Sequence, residues 1–312
     1  MLLVFCYVCV VVFVAAVLCR AVKIARLPIH LRWELYPVAH EKGRASYGGS
    51  YLEESDWWTK PRESSWVGEL RVMIPEIILL AGVWEHNRNH WFRSFPFHFG
   101  LYVLAGLFGL LLVGGIAAAA GMDVSTGGGL AGAILYHLTY LMGYVGLGLG
   151  LVGTLALLGR RIFEADYREY AKKADYLNLI FFAVTFVVAL AAHATVDRDF
   201  AGLRAFFERL VTFEFSSAVA LPWLTGLEIV LASVLLAYIP MTHMSHFFTK
   251  WFMYHDIRWS DEPNLVGGKI ERQVAAAFEY PLSWSAPHIR GDGKKNWGDV
   301  ATSGVEEENG EK

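Results

Sequence analysis

Cysteine is nearly absent from this 312-residue chain: Cys6, Cys9 and Cys19 are the only three, all within or at the edge of the first apolar run. That excludes a disulfide framework and a cysteine-built zinc site. It is also one thiolate short of the four that an iron–sulfur cluster takes, so any cluster this chain works with is held by another subunit. Charge is scarce as well. Only 18% of residues are charged, the net charge is -3, and there is no basic tract or low-complexity run, which leaves no footprint for nucleic acid. The first apolar run has no basic residue before it and no clear small-x-small cleavage site, and Arg20, Lys23 and Arg26 stand directly behind it. It reads as an uncleaved anchor with its N-terminus outside.

What is abundant is apolar surface. Hydrophobic residues make up 55% of the chain, tryptophan numbers 11, and the mean hydropathy is +0.37. Five stretches reach spanning length: Leu2–Leu18, Phe97–Ala117, Leu130–Leu158, Tyr176–Ala194 and Leu221–Phe248. Lysine and arginine number eleven in 20–96, five in 159–175 and eight from Lys250 onward, against none in 118–129 and three in the loop holding Arg198, Arg204 and Arg209. The positive-inside rule places the three rich segments in the cytoplasm. The expected fold is an all-α, multi-pass protein of the cytoplasmic (inner) membrane, with five transmembrane helices, N-out and C-in. Its parts are a first helix (1–20), a cytoplasmic loop (21–96), a four-helix membrane bundle (97–252) and a cytoplasmic tail (253–312).

The loop carries Leu31-Arg32-Trp33-Glu34-Leu35-Tyr36-Pro37, Tyr47–Glu54 and Asp56-Trp57-Trp58, then a stretch Gly68–Trp91 that reads as helical. Aromatics beside charges suit a surface lying along lipid headgroups, or a docking face. The tail, with Tyr254–Trp259, Trp284–Ile289 and an acidic end at Glu306–Glu308, reads as an extension that hugs a partner. Glycines punctuate the second and third spans, Gly100 to Gly115 and Gly143 to Gly153. They permit close helix packing, or leave room for a flat macrocycle.

Five of the eleven histidines fall within the expected spans: His98, His137, His193, His243 and His246. Ionisable groups in a bilayer are costly and mark sites by default. His98 opens the second span, and His243 and His246 lie near the cytoplasmic end of the fifth. His137 and His193 lie near the outer ends of the third and fourth. At ~1.5 Å per residue, His98 and His246 can share one plane and His137 and His193 another, the planes being roughly 15–20 Å apart. Two depth-matched imidazole pairs are what two axially ligated haems require; interfacial histidines bracing helix ends are the alternative. His243, almost a turn before His246, is a rival ligand, or a hydrogen-bond partner for a propionate or a quinone. His86 and His90 could chelate a metal if both sit on one helix, but no third ligand is evident, the order His-Glu-x-x-His is absent, and a solvated, partner-facing stretch is the favoured reading. Glu228, in the outer half of the fifth span, is either a helix–helix hydrogen-bonding group or a proton acceptor for quinol oxidation.

Five N-out spans, Phe97-His98-Phe99-Gly100 opening the second, and Pro240 six residues before His246 resemble the cytochrome b gamma subunit of respiratory nitrate reductase. The phrase Met241–Trp259 is similar to relatives of that subunit found beside heterodisulfide-reductase-like iron–sulfur proteins, among them the membrane cytochromes of sulfate reducers' quinone-interacting complexes; Leu31–Trp58 and Ala286-Pro287-His288 fit that subgroup too. The resemblance implies a five-helix bundle with two b-type haems, exchanging electrons between menaquinone and a cytoplasmic iron–sulfur partner. It places the inner haem on His98 and His246. For the outer haem the family's positions are Phe108 and Glu228 here, which leaves His137 and His193 as the depth-matched candidates.

The reading is a membrane cytochrome b with one or two b haems, embedded in lipid. It forms the quinone-reactive part of an oxidoreductase complex, with Glu228 taking quinol protons. The alternative is a non-redox membrane anchor or small transporter subunit.

Overall fold

Long uninterrupted apolar sequences have one inexpensive way to satisfy their backbone in lipid, which is to bond it within a helix. The computed structural model describes residues 1–26, 66–215, 220–249, 265–282 and 293–303, and these are helical apart from turns and one isolated antiparallel bridge between Pro281 and Asn296. The helices are α1 (Leu2–Ala25), α2 (Trp66–Ile78), α3 (Ala81–His86), α4 (Arg88–Ala119), α5 (Gly129–Phe163), α6 (Ala165–Tyr170), α7 (Lys173–Thr195), α8 (Ala201–Thr212) and α9 (Trp223–Tyr238). Two short 3₁₀ turns, Ile239–Met241 and His243–Ser245, precede α10 (Lys269–Phe278) and α11 (Trp297–Thr302). Among the described residues, five helices are long and apolar enough to cross a membrane: α1, α4, α5, α7, and α9 continued to Met241. The chain is a multi-pass, all-α membrane protein. The segments Leu31–Trp58, Tyr254–Trp259, Trp284–Ile289 and Glu306–Glu308 lie outside the described residues.

Two compact units divide the chain, the first comprising 1–16 and 73–244 and the second 17–72 and 245–312. In the first, α4 lies against α5 so closely that side chains are excluded at two points. A Cβ on Gly100 would come within 2.5 Å of the Gly150 nitrogen, and one on Gly153 would collide with the backbone nitrogen of Phe97. At this level the glycines serve helix packing. One apolar cluster joins Phe97, Leu157, Phe182, Phe186 and Leu235 from α4, α5, α7 and α9. Another joins Leu3 and Cys6 of α1, Leu107 and Leu111 of α4, Ile229 of α9, and Phe200, Leu203, Phe206 and Phe207. The last three belong to α8, an amphipathic helix in what the sequence presents as a plain loop. Tyr7 on α1 donates its hydroxyl to the Leu210 carbonyl and stacks on Phe213 at 5.4 Å. In the second unit, α10 and α11 are tied by the Leu282 amide to the Lys295 carbonyl (2.8 Å), and Asn296 and Asp299 cap α11 reciprocally.

Three expectations need correction. The helix that carries the second span begins at Arg88, nine residues before Phe97, so His98 stands well inside α4; Asn87 caps the helix by accepting from the His90 amide at 3.0 Å. The fifth span does not run to Phe248. Pro240 has no N–H for the Leu236 carbonyl, and α9 gives way to 3₁₀ turns, which leaves His243 in the second of them and His246 at the start of a separate helical stretch, 246–249. The stretch Gly68–Trp91 is not one helix either. Leu80 adopts a left-handed conformation (φ 52°) between α2 and α3, and Asn87 separates α3 from α4. His86 and His90 therefore sit on different helices and share no chelating face.

Candidate functional site

The last turn of α7 carries His193 into the bundle, and α9 carries Glu228 to meet it. His193 is wholly buried and Glu228 is 8% exposed. The imidazole Nε2 is 3.1 Å from Glu228 Oε1. On its other side Nδ1 is 2.8 Å from the Asp197 carbonyl oxygen, with Asp197 Oδ2 at 3.9 Å. The ring of Phe200 stacks on the imidazole with centroids 3.6 Å apart and 19° between planes. Tyr144, from α5, donates its hydroxyl to the His193 carbonyl at 2.7 Å and meets the Phe200 ring edge-on at 5.4 Å.

Local sequence explains why this arrangement holds. Asp197 accepts from the amides of Gly202 (2.8 Å) and Leu203 (3.1 Å), and so satisfies the first turn of α8. The turn between α7 and α8 brings Phe200 back over His193 in a left-handed conformation (φ 62°), which is strained for a residue with a side chain. Its ring fits only because residue 143 is glycine; a Cβ there would collide with it. Strain at a position so tightly enclosed marks a constrained site.

The hydrogen bonds define where protons sit. A carbonyl oxygen only accepts, so Nδ1 keeps its proton against Asp197. One further proton lies between Nε2 and Oε1, making the pair either imidazolium–carboxylate or imidazole–carboxylic acid. The cluster can therefore take up or give up one proton within the bundle. Glu228 Oε2 is buried with no hydrogen-bond partner. The wholly buried Thr225 Oγ1 is likewise unpartnered, three residues earlier on the same face of α9. Two unmet polar atoms beside an acid–base pair are unusual in a protein interior.

The other site residues from the sequence fall elsewhere. His137 is exposed on α5, in edge contact with its neighbour Tyr136. His193 has both ring nitrogens engaged, and iron on Nε2 would have to displace Glu228. As the side chains stand, His137 and His193 do not fit an outer haem. Instead the structure joins His193 to Glu228, the residue that stands where the sequence resemblance would expect an outer-haem ligand. His98 holds the tautomer that a haem ligand needs. Its Nδ1 donates to the Ser94 carbonyl at 2.9 Å, with Ser94 Oγ at 3.2 Å, which sets the tautomer whose Nε2 is unprotonated, the form that ligates iron. His243 is exposed, with Nε2 3.6 Å from Asp175. His246 is exposed in the second unit. Among the described residues, no group of three or more His, Cys, Asp or Glu side chains is arranged to hold a metal ion.

Sequence reasoning missed Asp197, Phe200, Tyr144 and Thr225. The pattern Asp197-x-x-x-x-Gly202-Leu203 at the head of an amphipathic stretch was the one available signal for the cap.

Comparison with known proteins gives one informative relative. Over 107 residues the chain is 32% identical to the Hdr-like menaquinol oxidoreductase cytochrome b-like subunit of Archaeoglobus profundus, covering 33% of this chain and 32% of that protein. The chain thus spans about a third of the length of the curated relative it matches. That relative's name agrees with the family resemblance carried by Phe97–Gly100 and Met241–Trp259. No family model and no solved structure matches.

Proposed function

We propose that this chain is the quinone-reactive membrane subunit of a respiratory oxidoreductase. It exchanges electrons between a menaquinone-type pool and an Hdr-like iron–sulfur subunit on the cytoplasmic side. The observation that carries this reading is the buried His193–Glu228 pair with its unpartnered Oε2. A passive anchor has no use for a proton-accepting acid–base pair inside the bundle, whereas a quinol must shed two protons as it gives up two electrons. The relative's name, menaquinol oxidoreductase cytochrome b-like subunit, supports the same reading.

In this reading Glu228 Oε2 accepts a hydrogen bond from a quinol hydroxyl, and Thr225 Oγ1 donates one to the oxygen of the oxidised form. One of the two protons passes to Glu228. The proton already shared with Nε2 then resides on His193, where Asp197 and its carbonyl oppose the imidazolium charge. The second proton goes to water. Phe200 and Tyr144 keep the imidazole in place and other bases away from it. Haem b, when bound, supplies a one-electron carrier between quinol and iron–sulfur partner. The sequence resemblance assigns His98 and His246 as its ligands, and His98 already presents the required tautomer. With N-out, C-in topology, His193 and Glu228 lie on the outer side and His98 on the inner.

The test is a dithionite-reduced minus oxidised spectrum of the purified protein, with stopped-flow reduction by a menaquinol analogue. A b-type haem signal should disappear in His98→Ala and persist in His137→Ala. Glu228→Gln should keep its haem and slow reduction by about 10²-fold, the low end for loss of a general base. A wild-type protein with no haem spectrum would return the chain to the anchor or transporter reading. An unchanged rate in Glu228→Gln would remove the proton-accepting role.

A further inference from the structure

The far end of the α4–α5 pair carries more positive charge than it has partners for. Arg160, in the last turn of α5, is 8% exposed. Its Nε donates to Glu164 Oε2 at 2.6 Å, and its guanidinium lies over the Tyr167 ring at 3.7 Å. Glu164 is not its alone, because Arg93 of α4 reaches the other carboxylate oxygen at 2.7 Å. One carboxylate thus serves two guanidiniums, and Arg160 Nη1 is buried with no hydrogen-bond partner. Next to it, the His90 ring stacks on the same Tyr167 at 5.9 Å, and His90 Nδ1 is also buried and unpartnered. Arg160, Arg161, Arg93 and His98 all stand within electrostatic range of His90. Asp166 and Asp175 line the adjoining cleft of about 460 Å³ with Arg161, Tyr167 and Tyr170, and no ion pair joins either to Arg160 among the described residues.

A buried guanidinium that shares its one carboxylate and keeps an unmet N–H leaves part of its desolvation cost uncompensated. Here one carboxylate is shared by two guanidiniums, and the unmet atoms of Arg160 and His90 belong to residues that both contact Tyr167. An unmet guanidinium N–H and an unmet ring nitrogen, both on residues in contact with Tyr167, suit an oxyanion, since Arg recognises carboxylate and phosphate through planar, charge-assisted hydrogen bonds. We propose that Arg160 and His90 form an oxyanion-binding site, and that a carboxylate or phosphate group seated there meets the Arg160 Nη1 and His90 Nδ1 that the chain leaves unpartnered. Two sources offer that chemistry at this depth. One is the headgroup phosphate of an anionic phospholipid. The other is a propionate of the haem assigned to His98, because Arg93 is five residues, roughly 7.5 Å of helix rise, from that histidine. The propionate source rests on the functional reading above; the lipid source does not.

Native mass spectrometry of the full chain from phosphatidylglycerol nanodiscs, with a redox titration of its haem, separates the cases. In Arg160→Gln, loss of a phosphatidylglycerol adduct that wild type retains identifies a phospholipid at the site. A lower haem midpoint potential with no change in lipid identifies a propionate, since removing a cation destabilises the reduced, less positive haem. Arg160→Lys should keep the charge and most of either signal. His90→Gln, on the other donor, carries the same test should Arg160→Gln fail to fold. If neither lipid binding nor potential changes in a folded variant, the site is overturned. A wild type without haem would defeat the functional reading and leave the lipid arm standing.

Discussion

At the level of single residues, His193 and Glu228 depend on each other. Each is buried in an apolar bundle, and each satisfies the other's polar atom at 3.1 Å. Removing one leaves the other without a partner, which in soluble proteins costs about 3–5 kcal/mol. His193→Ala should therefore lower stability by an amount of that order, read from reversible unfolding in mild detergent. Replacing both, as His193→Phe with Glu228→Leu, should recover most of the loss while quinol oxidation stays absent. If the double variant were no more stable than His193→Ala, the pair would not be the coupled unit described here. The sequence shows both residues to be expensive, but it does not pair them, because they are 35 positions apart on different helices.

At the level of elements, α8 is held by its first turn. Asp197 takes two amides there, Arg204 donates to the Asp199 carbonyl at 2.6 Å, and the Arg204 guanidinium lies over Tyr136 of α5 at 4.8 Å. Asp197→Ala removes the carboxylate and should weaken α8 by about 1–2 kcal/mol, seen as faster hydrogen exchange at Leu203–Phe207. Glu164 links the opposite ends of α4 and α5. Its carboxyl is held below the usual carboxylate range by the Arg160 hydrogen bond first, then by Arg160 and Arg93 charge. A carboxyl depressed by folding stabilises the fold above its unfolded value, and that contribution is lost as pH falls through the folded one. Thermal stability should thus decline on acidification below the ordinary Glu range in wild type. The decline should be smaller in Glu164→Gln and shallower at high salt, because the carboxyl is open to solvent. An identical pH profile in the two proteins would show that Glu164 does not tie these helices.

For the whole molecule, five apolar helices of 19 to 35 residues answer to the bilayer's thickness and little else. Their order follows from the sequence, and the N-out, C-in direction proposed for them rests on lysine and arginine counts. Cysteine placed at position 125 should react with impermeant reagent from outside, and at position 302 only from inside. The reverse pattern would invert the sidedness of both His98 and Glu228.

Composition and hydropathy alone determined that this is an all-α, multi-pass protein, because a backbone in lipid has few options. The sequence also marked His98, His193 and Glu228 as costly, and the phrase around His98 pointed to the family that the Archaeoglobus relative's name matches. Helix ends were less legible. Arg88 and Arg93 look like loop residues until Glu164 is seen to pair with Arg93, and Pro240 ends α9 at a point where hydropathy alone continues. What only the tertiary structure decided is which costly groups meet. Depth along separate helices pairs His193 with His137, but helix rotation and the turn from Val196 to Phe200 direct its two nitrogens to Glu228 and Asp197 instead. Rise per residue is a local property that sequence carries; azimuth is set by packing, through Gly143 admitting Phe200 and Gly153 admitting α4, and so appears only when the helices are assembled.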